Sequence, residues 1–314
     1  MNKKRRGDDM DGKYKQELIR YYDFLSEDGC DPVYDPPILR EHMNKWDGGE
    51  FLAKLRLTKE KSALEIGVGT GRLAIQTAPL CGSFAGIDIS PKTIERAKTN
   101  LKNIPNVKLI SGDFLTYDFG RTFDVIYSSL TFMHIERKTE AFIKAASLLN
   151  DGGIFVLSTD KNQGGFIDYG ELRISVFPDK PEETEADITY SGLKLEERFE
   201  TEFAHIFVAR KNNFCWCGHD CSKCVTYAAT IRNDDALREK SRAFYKEQFG
   251  REIPAEEIVC RGGRSVRIFT LCLECPFRNC GIGRGIESCR ICPEYPCPDL
   301  KDYQEKYVNK CNMI

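Results

Sequence analysis

Twelve of the fourteen cysteines lie after residue 212 of a 314-residue chain, and the first 212 residues hold only Cys30 and Cys81. That division implies two parts with different folding chemistry. The first has to be held by apolar burial, and the second by whatever its thiols do. In a reducing compartment such a cluster binds metal more often than it forms disulfides. The expected boundary is at Lys211-Asn212-Asn213, polar residues between the last apolar run and the first thiol of the cluster. Residues 213–314 carry sixteen Lys and Arg against fourteen Asp and Glu, too small an excess to indicate a nucleic-acid partner. With 41% hydrophobic and 30% charged residues and a net charge of −2, the composition is that of a globular protein. No run approaches 18 apolar residues, so no membrane span is expected. The opening MNKKRRGDDMDGK is basic with no apolar stretch behind it. It is expected to be a solvated tail rather than a secretory signal, and the protein to be cytoplasmic.

The first part alternates short apolar runs with helical stretches. SALEI (62–66), SFAGIDI (83–89), VKLIS (107–111), FDVIYSS (123–129) and IFVLS (154–158) read as strands, and LKLEERFE (193–200) and AHIFVAR (204–210) as a closing hairpin. Helical character follows Arg72. Ser90-Pro91 is an N-cap with proline at the first helical position, opening a helix to Leu101, and a third helix is expected over Glu136–Leu149. Alternation of this kind specifies a doubly wound, mostly parallel seven-stranded sheet, Rossmann-like, with an antiparallel pair at one edge. Ligands of such sheets bind beyond the carboxyl ends of the strands.

Several residues gather at those ends. ALEIGVGTGRL places Gly67, Gly69 and Gly71 on the first strand-to-helix turn, where glycine permits close approach of a ligand to backbone. The dinucleotide fingerprint would need a further glycine at Arg72. The second strand ends in Asp88, 17 residues after Gly71, and the third leads into Asp113 and Phe114. In this order and spacing the residues resemble the class I S-adenosylmethionine-dependent methyltransferases over residues 40–210. The resemblance implies that Glu65 and the three glycines embrace the methionine part of the cofactor and that Asp88, followed by Ile89, holds the ribose. Asp113 and Phe114 would lie beside the adenine, and Ser128 at the methionyl end. It places the acceptor near SSLTFMHIERK, with Thr131 a contact and His134 a candidate base, since His134 alone there titrates near neutrality. Residues 1–40 would form an N-terminal segment and cap, and Tyr22, Tyr34 and Trp46 are candidates for lining the acceptor pocket. Packing onto the sheet explains each of these aromatics equally well.

The second part has one clear helix, Asp235–Phe249, closed by Gly250. Its cysteines run Cys217, Cys221, Cys224, then Cys260, then Cys272, Cys275, Cys280, then Cys289, Cys292, Cys297. Over nearly its whole length it resembles a bacterial and archaeal family of unknown function that is predicted to bind zinc. Gly263 stands where that family has a further cysteine, and Cys215 is an extra thiol upstream. The expected groupings are 217/221/224/260 and 272/275 with 289/292. Four thiolates suit zinc or an iron–sulfur cluster, and zinc is the reading adopted. The C-x3-C-x2-C at 217–224 also matches the loop of radical S-adenosylmethionine enzymes. Only 90 residues follow it, without the repeated strand–helix units such enzymes need.

The domains expected are therefore 1–40, 41–212 and 213–314, the last a small helical metal-binding domain. The function expected is methyl transfer from S-adenosylmethionine to a small-molecule or protein acceptor. Two other readings are a cofactor-sensing or metal-binding regulatory protein without turnover, and a thiol or metalloid methyltransferase that uses the late cysteines.

Overall fold

The structure is a computed structural model that describes residues 2–308 apart from Val266 and Glu287, with side chains described over 12–306. The chain divides into two compact units, one running to Asp187 and taking up Leu195–Arg210, the other comprising Ile188–Lys194 and everything from Lys211.

The basic N-terminal stretch falls within the first turns of a 26-residue helix, α1 (Asn2–Glu27). Two short helices follow, α2 (Pro37–Met43) and α3 (Gly48–Lys54). Strand β1 (Ser62–Ile66) is buried at all five positions, as a parallel strand covered on both faces must be. It is followed by α4 (Ala74–Thr77), a single turn that passes at Pro79 into a 3-10 turn. Then come β2 (Ser83–Asp88) and α5 (Pro91–Asn100), which starts as its sequence dictates, the Ser90 hydroxyl accepting from Thr93 N with Pro91 at the first position. Next are β3 (Val107–Ser111), β4 (Phe123–Ser129), α6 (Lys138–Leu148) and β5 (Leu149–Asp160).

Strand β5 is longer than its apolar run. Asp151-Gly152-Gly153, a triplet that would favour a turn, forms an irregularity inside the strand, where the partner of Phe123 is Leu149 but that of Val125 is Ile154. Gly152 absorbs it at φ +72°. A separate hairpin, β6 (Phe166–Tyr169) and β7 (Leu172–Ser175), was not anticipated. Helix α7 (Pro181–Tyr190), β8 (Leu193–Glu200) and β9 (Ala204–Lys211) complete the sheet, whose order is β3-β2-β1-β4-β5-β9-β8. Neighbours from β3 through β5 are parallel, and β9 runs antiparallel to β5. One apolar cluster on the sheet joins Phe51 and Leu55 to Ala63, Val68, Phe84 and Tyr127.

In the second unit α8 (Val225–Arg232) ends on left-handed Asn233. Helix α9 (Asp235–Phe249) is capped by the Asp234 carboxylate and closed by left-handed Gly250. The short α10 (Thr270–Leu273), α11 (Pro276–Gly283) and α12 (Pro298–Tyr303) follow. Two small clusters serve as its core. One is built on Tyr245, Ile258, Cys260, Ile268 and Phe269, the other on Cys217, Phe277 and Leu300. Among the described residues no helix is long and apolar enough to cross a membrane.

Candidate functional site

The carboxyl ends of β1, β2 and β4 open into a cavity of about 350 Å³ in the first unit, within the range of small-molecule sites. Its floor is the turn after β1. Gly67 (φ +74°) and Gly69 (φ +56°) both take backbone conformations that a side chain would oppose. Gly67 has a second reason to be glycine, because a Cβ there would lie 1.9 Å from Thr131 Oγ1. Asp88 ends β2 at the cavity wall, where Gly69 N donates to its Oδ2 and Ser90 N to its Oδ1, each at 3.0 Å. Loss of solvent raises its carboxyl pKa, and those peptide donors oppose the rise.

Helix α1 walls the cavity with Tyr14, Lys15, Leu18, Tyr22 and Leu25. Polar bonds hold it there. Lys15 pairs with Asp113 at 2.9 Å, Ser90 Oγ donates to Asp23 at 2.6 Å, and Ser26 and Thr93 share a hydrogen bond of 3.1 Å. The Tyr22 hydroxyl lies 2.7 Å from His134 Nε2. His134 is buried, its Nδ1 has no hydrogen-bond partner, and burial, with Lys138 nearby, pushes its pKa down to about 4. The imidazole is therefore neutral at pH 7.

Two buried acids brace the floor. Glu65 Oε2 accepts from the Tyr127 hydroxyl at 2.9 Å, and burial pushes its carboxyl from the ordinary 4.5 up to about 8. A carboxyl that keeps its proton in the folded state contributes stability that is complete below about pH 4.5 and lost as the pH rises through 8. Glu65→Gln should flatten that decline, measured as urea unfolding free energy across the interval. An unchanged slope would mean that Glu65 is ionised in the fold. Asp47, which precedes α3, accepts from Arg72 Nη1 at 3.1 Å, Ser129 Oγ at 2.8 Å and Gly48 N at 2.8 Å, and also from Arg72 Nη2. Nothing in the sequence pairs Asp47 with Arg72, because 25 residues and a strand separate them.

Glu65, Gly67, Gly69, Asp88, Ile89, Asp113, Phe114, Thr131 and His134 all line this one cavity, as does Tyr22. Four expected residues do not. Gly71 (φ +100°) instead makes room for Leu101, whose side chain would lie 3.1 Å from a Cβ there. Ser128 is fully buried and spends its hydroxyl on Ile66 O at 2.8 Å, tying β4 to β1. Tyr34 is 69% exposed, and Trp46 packs on Phe203 and the core. The cavity wall also holds Leu130, a non-glycine residue at φ +57° that no sequence pattern marks.

In the second unit the pattern cysteines fall into two neighbourhoods: Cys221, Cys224, Cys260 and Cys272 lie near enough to raise one another's thiol pKa values, and Cys275, Cys280, Cys292 and Cys297 lie around Cys289. Among the described residues no three His, Cys, Asp or Glu side chains stand together as a metal site. Cys217 does not join Cys221, Cys224 and Cys260 in one apolar cluster. The chain reverses at Gly218 (φ +86°), and Cys217 packs with Phe277, Leu300, Cys275, Cys289 and Cys297. Cys260 packs with Cys272 in the other cluster. Cys215 Sγ lies 3.3 Å from Cys221 Sγ. Cys280 is exposed and Cys292 partly so.

Comparison with known proteins bears on both units. Residues 57–217 match a family described as a methyltransferase domain, and residues 213–302 a family described as a protein of unknown function (DUF3795). The chain is 34% identical over 149 residues to malonyl-[acyl-carrier protein] O-methyltransferase 1 of Ilyobacter polytropus, covering 45% of this chain and 51% of that one. It is 33% identical over 136 residues to an uncharacterized methyltransferase of Staphylococcus carnosus, covering 41% and 63%. The match thus spans about half the length of the first of these relatives. The magnesium protoporphyrin IX methyltransferase of Synechocystis PCC 6803, solved with bound S-adenosylmethionine, superposes with a TM-score of 0.51 at 16% identity over 63% of this chain and 97% of that one, which shows a common fold. With the family match spanning just over half of its residues, the chain belongs to the methyltransferase-domain family.

Proposed function

We propose that this chain transfers a methyl group from S-adenosylmethionine to an acceptor that has no proton to lose. The observation that carries the reading is the cavity where Gly67, Gly69 and Asp88 meet at the strand ends. Its residues fit that cofactor. The Asp88 carboxylate, bonded to the peptide N–H groups of Gly69 and Ser90, keeps lone pairs for ribose hydroxyls. Asp113 and Phe114 would flank the adenine, and Glu65 with the glycine turn would enclose the methionyl end. When bound, the cofactor supplies a methyl group already activated on a sulfonium. The chain then has to orient the acceptor and exclude water, which α1 does by walling the cavity.

His134 is the test of base chemistry. Its imidazole is neutral, engaged by Tyr22 and a weak base at a pKa of about 4. A carboxylate or thiolate acceptor needs no base, and the Ilyobacter relative is named for a malonyl group, which bears a carboxylate. His134→Gln should leave affinity for S-adenosylhomocysteine unchanged and lower turnover by less than about tenfold, well short of the roughly 10²–10⁴-fold that loss of a general base costs. The assay is S-adenosylhomocysteine release in an acceptor screen, and the wild-type rate should show no inflection near pH 6.5. A loss of a hundredfold or more would make His134 the base. Failure of the full chain to bind S-adenosylhomocysteine by calorimetry would end the whole reading.

For the second unit the reading is that its cysteines hold zinc, with an iron–sulfur cluster the other thiolate-bound possibility. The spacing of the C-x2-C pairs supports it, whereas the side-chain placement does not, and no step of the chemistry is derived through a metal. Elemental analysis of the full chain tests it: one or two equivalents of zinc are expected, and none would remove the reading.

A further inference from the structure

His134 lines the cavity of the first unit with two ring nitrogens, and only one of them is paired. Nε2 lies 2.7 Å from the Tyr22 hydroxyl, and the buried Nδ1 has no hydrogen-bond partner among the described residues. The imidazole is neutral at pH 7, so two proton arrangements are open to this pair. In the first, the Tyr22 hydroxyl donates to Nε2, Nδ1 carries the imidazole hydrogen, and that one N–H is left unpaired. In the second, Nε2–H donates to the phenol oxygen, which leaves both the phenol O–H and the Nδ1 lone pair without a partner. Buried polar groups left unpaired are rare in folded proteins, so the first arrangement is favoured. Burial and the nearby Asp88 charge raise the pKa of the Tyr22 phenol, so it keeps the proton it has to give.

The arrangement limits what His134 can do. With Nε2 occupied by Tyr22 and Nδ1 protonated, neither nitrogen takes a proton from an acceptor. What the side chain offers the cavity is a fixed N–H donor. His134 is 8% exposed, and its ring meets that of Tyr22 at 87° with centroids 5.4 Å apart. The other cations of the cavity wall are each paired, Lys15 with Asp113, Arg72 with Asp47 and Arg137 with Glu140. An acceptor that suits this donor brings one atom for the hydrogen bond and a second for the methyl group. A carboxylate has both, because one oxygen accepts from Nδ1–H while the other keeps its lone pair for the methyl carbon. In a thiolate or an amine one atom would serve both ends, and the hydrogen bond would blunt its attack.

Resting on the methyl-transfer reading above, we propose that the acceptor is a carboxylate held through one oxygen by His134 Nδ1–H, with Tyr22 as the positioning residue that fixes this tautomer. The free carboxylate oxygen bonds to the methyl carbon as the carbon–sulfur bond breaks, and the bond pair goes to sulfur. The carboxylate and sulfonium charges cancel, the products are a methyl ester and S-adenosylhomocysteine, and no proton moves.

The test follows the imidazole by nitrogen-15 NMR of the full chain labelled at its four histidines, with His134→Gln identifying the resonance. At pH 7 the expected state is neutral with hydrogen on Nδ1, moving to Nε2 in Tyr22→Phe, a change that looser packing of α1 alone would not produce. Sodium acetate titrated into the chain saturated with S-adenosylhomocysteine should shift the Nδ1 resonance saturably, and sodium chloride at equal ionic strength should not. Acetate binding, read by saturation transfer to its methyl protons, should weaken about tenfold in His134→Gln. It should hold in His134→Asn, whose amide nitrogen stands in for Nδ1. Calorimetry with S-adenosylhomocysteine checks the cofactor site separately. A chain that binds it but carries hydrogen on Nε2, ignores acetate or responds alike to chloride overturns this inference and leaves methyl transfer standing. A chain that does not bind it overturns both.

Discussion

Asp47→Ala should lower the unfolding free energy by about 3–5 kcal/mol, the cost of removing one partner from a buried charge pair. The Asp47 side chain is fully buried and that of Arg72 is 16% exposed, so water cannot replace the lost carboxylate. The substitution strands more than the guanidinium. Ser129 Oγ and Gly48 N lose their acceptor as well, and α3 loses its cap. Asp47→Asn, which keeps the shape and one oxygen, should recover part of the loss. Urea denaturation of the three proteins measures it. A penalty for Asp47→Ala below about 1 kcal/mol would place the pair among solvated surface bridges.

Asp88→Ala should weaken binding of S-adenosylhomocysteine by about 1.5–3 kcal/mol, or roughly 10–150-fold, the usual worth of hydrogen bonds to a charged group. The carboxylate also caps the turn by accepting from Gly69 N and Ser90 N, so some loosening of the floor belongs to the same figure. Calorimetry reads the affinity, and the thermal midpoint of the unliganded variant separates ligand loss from unfolding. Unchanged affinity would mean that the ribose lies elsewhere and that the proposed cofactor site is misplaced.

The sheet was legible because its strands are continuous apolar runs separated by capped helices, and period and punctuation agree at Ser90-Pro91. The acids and glycines at the strand ends were legible for the same reason, since topology sends strand ends to one place. What escaped is what topology does not fix. Residues 1–40 were legible as a cap with Tyr22 at the pocket, but not that the cap is one long helix, although Tyr14, Leu18, Tyr22 and Leu25 recur at helical spacing. The Asp47–Arg72 pair depends on how α3 docks, which no local pattern encodes. The hairpin of β6 and β7 turns on a single glycine, Gly170, in a stretch of mixed polarity. Cysteine spacing likewise says nothing about which side of the reversal at Gly218 each sulfur takes, so Cys217 and Cys221 were grouped although they pack in different surroundings.

The seating of α1 also has a kinetic consequence. If α1 has to move for a ligand to enter, it must first release its bonds at Lys15, Tyr22, Asp23 and Ser26, and stopped-flow binding of S-adenosylhomocysteine tests this. Association then proceeds in two steps, and its observed rate levels off with rising ligand concentration at the frequency with which the helix lifts. Departure waits on the same event. Residence time would then be governed by a segment some forty to fifty residues ahead of the glycine turn in sequence, and affinity could be retuned there without changing the floor of the site.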